Sequence, residues 1–442
     1  MKNFNEFGLD VPEILLPKNK ELNSWSVIAC DQYTQDLDYW KKASESAGSN
    51  PSTLNLILPE VYLSSPDRKE RIEKIRSTMS EYLHNGIFDE GENEFIYLER
   101  KTSYGRIRHG LVAAINLDDY EWKPFSKALI RATEATIVDR IPPRKEIRKD
   151  APVELPHIML LVNDKNHSLV EETGNLVKNN APVYDGDLML DSGHITGWAV
   201  KDEAVLEKVF AALENLKKEN TDSDGDAFMF AVGDGNHSLA TAKAVWDEYK
   251  KEQLEKGVKE SELEKSAVRY ALVEIVNIFD TGLTFEPIHR VIFNADKKSL
   301  IENTASKLNG KLSAVSSEQE LEEKVKNSKA NFGFAYTENG KTEYVLLETS
   351  IKELAVSRLQ PVLDDFISAD KKIEIDYIHG SDEVFRLGKK ENAVSILLPP
   401  VAKDSFFDTI NSTGPLPRKS FSMGEASEKR FYLECRRLFP EQ

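Results

Sequence analysis

The hydrophobic pattern changes period most sharply around residue 235. An apolar run, Phe228-Met229-Phe230-Ala231-Val232, has the length and composition of a buried strand. Beyond it, Leu239, Ala242, Val245, Trp246 and Tyr249 recur at the spacing of one helix face. Elsewhere the same reasoning predicts an amphipathic helix over 67–84 and strands over Phe95–Leu98, Ile107–Leu117 and Ile158–Val162. Val205–Leu216 has helical spacing, 250–266 is charged enough for an exposed helical extension, and Tyr270–Ile278 reads as a strand. After Asn294 the composition shifts to a Lys/Glu-rich segment, 295–330, expected to be helical. A hairpin follows over 331–348, around Glu338-Asn339-Gly340-Lys341. Helical and strand segments mix without regular β-α-β alternation, so the expected class is α+β with mixed sheets. The expected regions are 1–125, 126–294 and 295–442.

The chain has 442 residues, 40% hydrophobic and 30% charged, as an ordinary globular protein does. Lys and Arg number 58 against 75 Asp and Glu, a formal charge of −17. Such a balance repels phosphodiester backbones and argues against nucleic acid as a partner. The densest basic segment, Arg140–Lys149, is short and diluted by Glu146. Two cysteines, Cys30 and Cys435, make no disulfide framework, and no Cys/His cluster has zinc spacing. Residues 1–6 lack the apolar core of a signal peptide, and no run reaches the ~18 apolar residues of a membrane span. The expected location is cytoplasmic, away from membranes. Oligomerisation is left open.

The strand-to-helix turn is Gly233-Asp234-Gly235-Asn236-His237-Ser238. A helix opening directly after a glycine turn presents backbone N–H groups and the positive end of its dipole, a setting for phosphate. The structural alternative is a tight turn with Asn236 or Ser238 as helix cap. A second segment, Arg131-Ala132-Thr133-Glu134-Ala135-Thr136-Ile137-Val138-Asp139-Arg140, sets four ionisable groups among small and apolar residues. There Arg131 and Arg140 are candidate phosphate forks, and Glu134 is a candidate base or, with Asp139, a metal ligand. The plain reading is an ordinary helix with Arg131 and Glu134 paired on its solvated face. His289-Arg290, just ahead of an apolar run, and Arg418-Lys419, in a proline-held loop, offer further cations. Asp31-Gln32 ends the apolar Val27–Cys30 run, where a carboxylate often faces a pocket. Cys30 reads as a small buried residue. The acidic loop Asp222–Asp226 fails as a calcium loop, because Ala227 and Gly233 occupy its glycine and glutamate positions. P-loop, Rossmann, Gly-x-Ser-x-Gly and His-Glu-x-x-His signatures are absent.

Val27-Ile28-Ala29-Cys30-Asp31-Gln32-Tyr33-Thr34, Thr133–Thr136 with Asp139-Arg140, Gly233–Ser238, His289-Arg290 and Pro417–Ser420 occur in the order found in the bacterial family DUF1015. The resemblance spans roughly residues 10–440, and the family name carries no activity. The glycine turn in turn resembles the Asp-Gly-His-His-Arg signature of the ParB/sulfiredoxin-like superfamily. That superfamily includes CTP-binding partition proteins, ATP-using sulfiredoxins and kinases of free serine. The resemblance implies that Gly233, Asp234, Gly235, Asn236, His237 and Ser238 hold nucleotide phosphates, with Asp234 and His237 near the chemistry and Glu134 as the base. Asn236 and Ser238 depart from the signature and remove one cation, which Arg131, Arg140, Arg290 or Lys419 would have to supply. The leading expectation is a kinase of free serine or a similar hydroxy amino acid, using ATP or ADP, with Mg²⁺ held by Asp31 or Asp234. Its partner is then a small phosphorylated or hydroxylated metabolite. A phosphatase of a phosphorylated amino acid and a non-catalytic nucleotide-binding module are the alternatives.

Overall fold

The computed structural model describes residues 3–19, 21–135 and 141–440. Two compact units divide the chain: Met1–Leu283 with Glu425–Gln442, and Thr284–Gly424. The second is thus an insertion in the first, and the first is closed by the C-terminal tail.

Strands of the first unit are β1 (Leu9–Asp10), β2 (Phe95–Thr102), β3 (Ile107–Asn116), β4 (Tyr120–Glu121), β5 (Ile130–Arg131), β6 (Met159–Val162), β7 (Tyr184–Asp187), β8 (Gly193–Val200), β9 (Phe230–Asp234) and β10 (Tyr270–Asn277). They form one mixed sheet in the order β7-β8-β2-β3-β10-β6-β9-β5-β4, with β1 on β3. β10 runs parallel to β6 and β5 parallel to β9, while β9 lies antiparallel to β6. Both faces are buried, and the side chains alternate accordingly. Phe95, Tyr97, Leu111, Ala113, Val273 and Ile275 enter one core, whereas Ile96, Leu98, Val112 and Leu272 enter the other. That two-sided burial explains the near-continuous apolar runs that announce these strands.

Helices α1 (Arg68–His84), α2 (Ile141–Arg148), α3 (Val170–Val177), α4 (Glu203–Glu219) and α5 (Asn236–Glu255) cover the sheet and its margins. α5 ends before Gly257, whose φ of +87° turns the chain, so the expected helical extension over 250–266 is broken there. A polar core crosses the second face. Glu274 on β10 accepts from Arg108 Nε at 3.1 Å and from Arg430 Nη1 at 2.8 Å. Arg430 also pairs with Glu434, which accepts from the Tyr184 hydroxyl at 2.6 Å. Gly110 is required beneath this cluster, because a Cβ there would lie 2.6 Å from Glu274 Oε1. These bonds fasten the tail to the sheet.

The second unit carries β11 (His289–Phe293), β12 (Lys311–Val315), β13 (Phe332–Glu338), β14 (Lys341–Glu348), β15 (Glu374–Ile378) and β16 (Ala393–Leu397), in the order β12-β14-β13-β16-β11-β15. Helices α6 (Lys297–Lys307) and α7 (Glu318–Lys326) flank β12 in sequence, so the 295–330 segment contains a strand as well as helix. Each unit combines helices with mixed or antiparallel sheet. The fold is α+β, as the sequence leads one to expect.

Candidate functional site

The turn after β9 is built around Gly235, at φ +83°. A Cβ there would be in the left-handed region and 3.1 Å from Ile158 Cγ1, so glycine is the residue that fits. The first helical bond of α5 runs from the Leu239 amide to the Gly235 carbonyl, 3.0 Å. Helix geometry leaves the amides of the preceding turn outside that ladder, and Gly235, at the cap position, has no side chain to bond them.

Asp234 closes β9. Its Oδ1 accepts from the Gly235 amide at 3.1 Å, and its Oδ2 lies 3.4 Å from Lys429 Nζ. Gly233 precedes it, half-buried. Asn236 turns its side chain toward Thr133: Oδ1 accepts from the Thr133 amide at 3.1 Å and Nδ2 donates to Thr133 Oγ1 at 3.2 Å. Thr133 Oγ1 in turn donates to the Val232 carbonyl at 2.5 Å. The half-buried Glu134 follows immediately, so the residues that lock Thr133 also set the Glu134 backbone beside the turn. His237 is half-buried, and its carbonyl accepts from Thr241 Oγ1.

Ser238 Oγ lies 3.0 Å from His157 Nε2. Asp31 Oδ2 is 3.7 Å from the same nitrogen, and Asp31 Oδ1 accepts from Gln32 Nε2 at 3.1 Å. The other ring nitrogen of His157 is 2.7 Å from the Tyr432 hydroxyl. Burial, foremost, pushes the Cys30 thiol above its ordinary range, and the neighbouring Asp31 charge adds to it. A thiol held protonated is a poor nucleophile, in keeping with a packing role for Cys30.

Asp31, Asp234, Asn236 and Ser238 therefore share one neighbourhood with Thr133 and Glu134. The predicted cations do not all join them. Arg131 lies on β5 rather than in a helix, donates from Nε to the Ala128 carbonyl at 2.8 Å, and stacks 4.4 Å over the Phe228 ring. Phe228 precedes β9 and Asp234 ends it, roughly 20 Å further along an extended chain. Arg131 is thus placed at the entry of the strand, away from the turn at its exit. Burial lowers its pKa. Arg290 is on β11, not ahead of a strand, and is fully buried inside the second unit. It donates to Gln360 Oε1 at 3.0 Å and to the Ile288 carbonyl, and lies 5.1 Å from the Tyr377 ring centre. Burial pushes its guanidinium down to about 10. A group so enclosed braces its own unit and presents no face to a dissolved phosphate. Lys419 is exposed in the second unit, at φ +57°. Asp139 and Arg140 lie outside the described residues.

The sequence reading overlooked three members of the neighbourhood: His157, Lys429 and Tyr432. Pro156 and the strand after it are the only local signal for His157. Lys429 and Tyr432 lie in the tail, brought in by the Glu274–Arg430–Glu434 cluster. Lys429 brings a cation to Asp234 at the end of β9. Among the described residues, no group of three or more His, Cys, Asp or Glu side chains is arranged to hold a metal ion. No helix among them is long and apolar enough to cross a membrane.

A family model, described as a protein of unknown function (DUF1015), matches residues 13–366. The chain belongs to this family. No curated protein matches this DUF1015 member. Solved structures similar to it include a free serine kinase variant in complex with AMP, at TM-score 0.39 and 10% identity over 73% of this chain and 90% of that one. A conserved hypothetical protein from Pyrococcus furiosus has TM-score 0.33 and 12% identity, with 73% and 90% covered. SbnI from Staphylococcus aureus, truncated at its C-terminus, has TM-score 0.34 and 9% identity, with 71% and 83% covered.

Proposed function

We propose that this DUF1015 protein is a small-molecule phosphotransferase, a nucleotide-dependent kinase of free serine or a similar hydroxy amino acid. The observation that carries the reading is the Asn236–Thr133 clasp, which ties the residue before Glu134 to the first residue of α5. Phosphoryl transfer asks for donors on the phosphate oxygens, a cation and a base for the attacking hydroxyl. The turn amides from Asn236 to Ser238 supply the donors, with Gly233 and Gly235 permitting close approach. Lys429 beside Asp234 supplies a cation, and Arg140 remains a candidate for a second. Glu134 takes the proton as the hydroxyl oxygen attacks the terminal phosphorus of ATP, and ADP leaves. Mg²⁺ needs few protein ligands when phosphates provide the rest, and Asp31 or Asp234 would serve it, neutralising charge on the nucleotide. His237 stands at the same turn as a further contact.

The test is transfer from ATP to L-serine and to a panel of hydroxy amino acids, followed by ³¹P NMR. Phosphoserine and ADP are expected in equal amounts. Glu134→Gln should lower kcat at least ~100-fold while nucleotide affinity is retained. Nucleotide binding without turnover would support the binding-module reading instead. Phosphate release from phosphoserine without nucleotide would support the phosphatase.

A further inference from the structure

Ser238 has a base of its own. Its Oγ is 3.0 Å from His157 Nε2, and the His157 ring, 5% exposed, is held from the other side by Tyr432 at 2.7 Å. Tyr432 Oη accepts from the Cys30 amide at 3.3 Å. A phenol oxygen has a second lone pair, which can accept from His157 Nδ1–H. In that tautomer His157 Nε2 bears the lone pair and Ser238 donates to it, with Asp31 Oδ2 3.7 Å from the same nitrogen. A serine hydroxyl donating to a neutral imidazole that a third group orients is the arrangement of an activated nucleophile.

What lies in front of this pair separates it from a merely satisfied histidine. Ser238, His157 and Tyr432 line a cavity of about 140 Å³. Its other walls are largely aliphatic, including Leu58, Ile147 and Leu272. The charged groups on its wall are engaged: Arg144 Nε donates to Glu60 at 2.8 Å, and Glu154 is bound by Arg148 and Arg436. The space suits an apolar group and offers nothing to a second charge. Ser238 also lies in the first turn of α5, at the positive end of the helix dipole.

We propose that Ser238 and His157 form a nucleophile–base pair that hydrolyses carboxylic esters of short aliphatic acids, with the acyl chain in this cavity. Ser238 Oγ bonds to the carbonyl carbon as its proton passes to His157 Nε2, and the carbonyl electron pair moves to oxygen. Collapse of that intermediate breaks the bond to the alcohol oxygen, which leaves with the proton from His157. Water then attacks the acyl-serine, giving its proton to His157. The carboxylic acid departs, and the proton returns to Ser238. Tyr432 is a positioning residue, since it acts only through the imidazole. The activity needs neither nucleotide nor metal, so its failure and that of the phosphotransfer reading are separate results.

The experiment uses the full chain with p-nitrophenyl butyrate, without nucleotide, alongside a fluorophosphonate probe mapped by mass spectrometry. A burst of p-nitrophenol and an adduct on Ser238 are expected. Ser238→Ala should abolish labelling, and both it and His157→Gln should lower kcat/KM at least ~100-fold. Tyr432→Phe should lower kcat with KM unchanged and shift the acid limb of the pH–rate profile, where His157 takes up its proton. Wild-type turnover by a folded Ser238→Ala variant would overturn the proposal, as would the absence of any ester turnover. If that variant does not fold, the wild-type adduct decides: attachment at any residue other than Ser238 overturns it.

Discussion

Asn236 holds Thr133 by both ends of its side-chain amide, accepting from the Thr133 N–H at 3.1 Å and donating to its hydroxyl at 3.2 Å. The two residues are 103 positions apart, and each sits next to a group central to the proposed chemistry. Thr133 is fully buried, so its amide has no solvent to turn to.

Replacing Asn236 with Ala leaves that amide without its acceptor and should cost about 1–3 kcal/mol of stability. Urea unfolding should give a lower midpoint with an unchanged slope. Asn236→Asp keeps the acceptor oxygen, loses the donor and adds a negative charge at a helix N-terminus, where it is favourable, so it should unfold between the wild type and Asn236→Ala. In both variants phosphotransfer should fall further than stability does, because Glu134 loses its placement.

Glu274 makes the first unit sensitive to acid. Burial alone would raise its pKa, but Arg108 and Arg430 outweigh burial and hold the carboxyl below its ordinary value of 4.5. A depressed native pKa contributes stability that is complete above the unfolded value and is lost as pH falls through the native one. Stability should therefore decline from about pH 4.5 downward. Glu274→Gln should remove about 3–5 kcal/mol at neutral pH, since it takes away the buried charge that Arg108 and Arg430 share and leaves Arg430 with Glu434 alone. It should also flatten the acid limb, and urea unfolding across pH 3 to 7 (a range of about 4 units) reads both effects.

His109 has the opposite sign. Its hydrogen bond to Asp280, 2.8 Å from Nδ1, raises its pKa above 6.5 against the opposing effect of burial. Its contribution is present in full below the unfolded value and fades as pH rises through the higher native one. An NMR titration should place the His109 midpoint above 6.5. In Asp280→Asn the midpoint should fall, while a wild-type midpoint at or below that value would show that burial prevails.

Elements with a strong local period were legible. The strand expected over Tyr270–Ile278 is observed as Tyr270–Asn277, and the helix over 67–84 as Arg68–His84. The hairpin at Asn339-Gly340 has both residues at positive φ, +53° and +75°, which that pair of residues accommodates. Lys311–Val315 was not legible because it is an edge strand, short and largely half-exposed, and carries too little apolar alternation to stand out. For the candidate site, the glycine turn announced itself through the change of period. Its surroundings did not. His157, Lys429 and Tyr432 reach it through pairings spanning up to 402 positions, as with Cys30 and Tyr432. Arg131 and Arg290 show the converse limit: composition reveals a cation but not whether it faces solvent or braces a core. The distinction lies in tertiary packing, through the Phe228 and Tyr377 rings that cover them.

The central claim is that the start of α5, with Lys429 beside it, binds the phosphates of a nucleotide. Isothermal titration of ADP into the wild type and Lys429→Ala tests it most directly. Saturable binding by the wild type is expected, weakened about 10-fold or more in the variant, as loss of a charge-assisted contact of about 1.5–3 kcal/mol requires. Binding that is absent from the wild type, or equal in the two proteins, would contradict the claim.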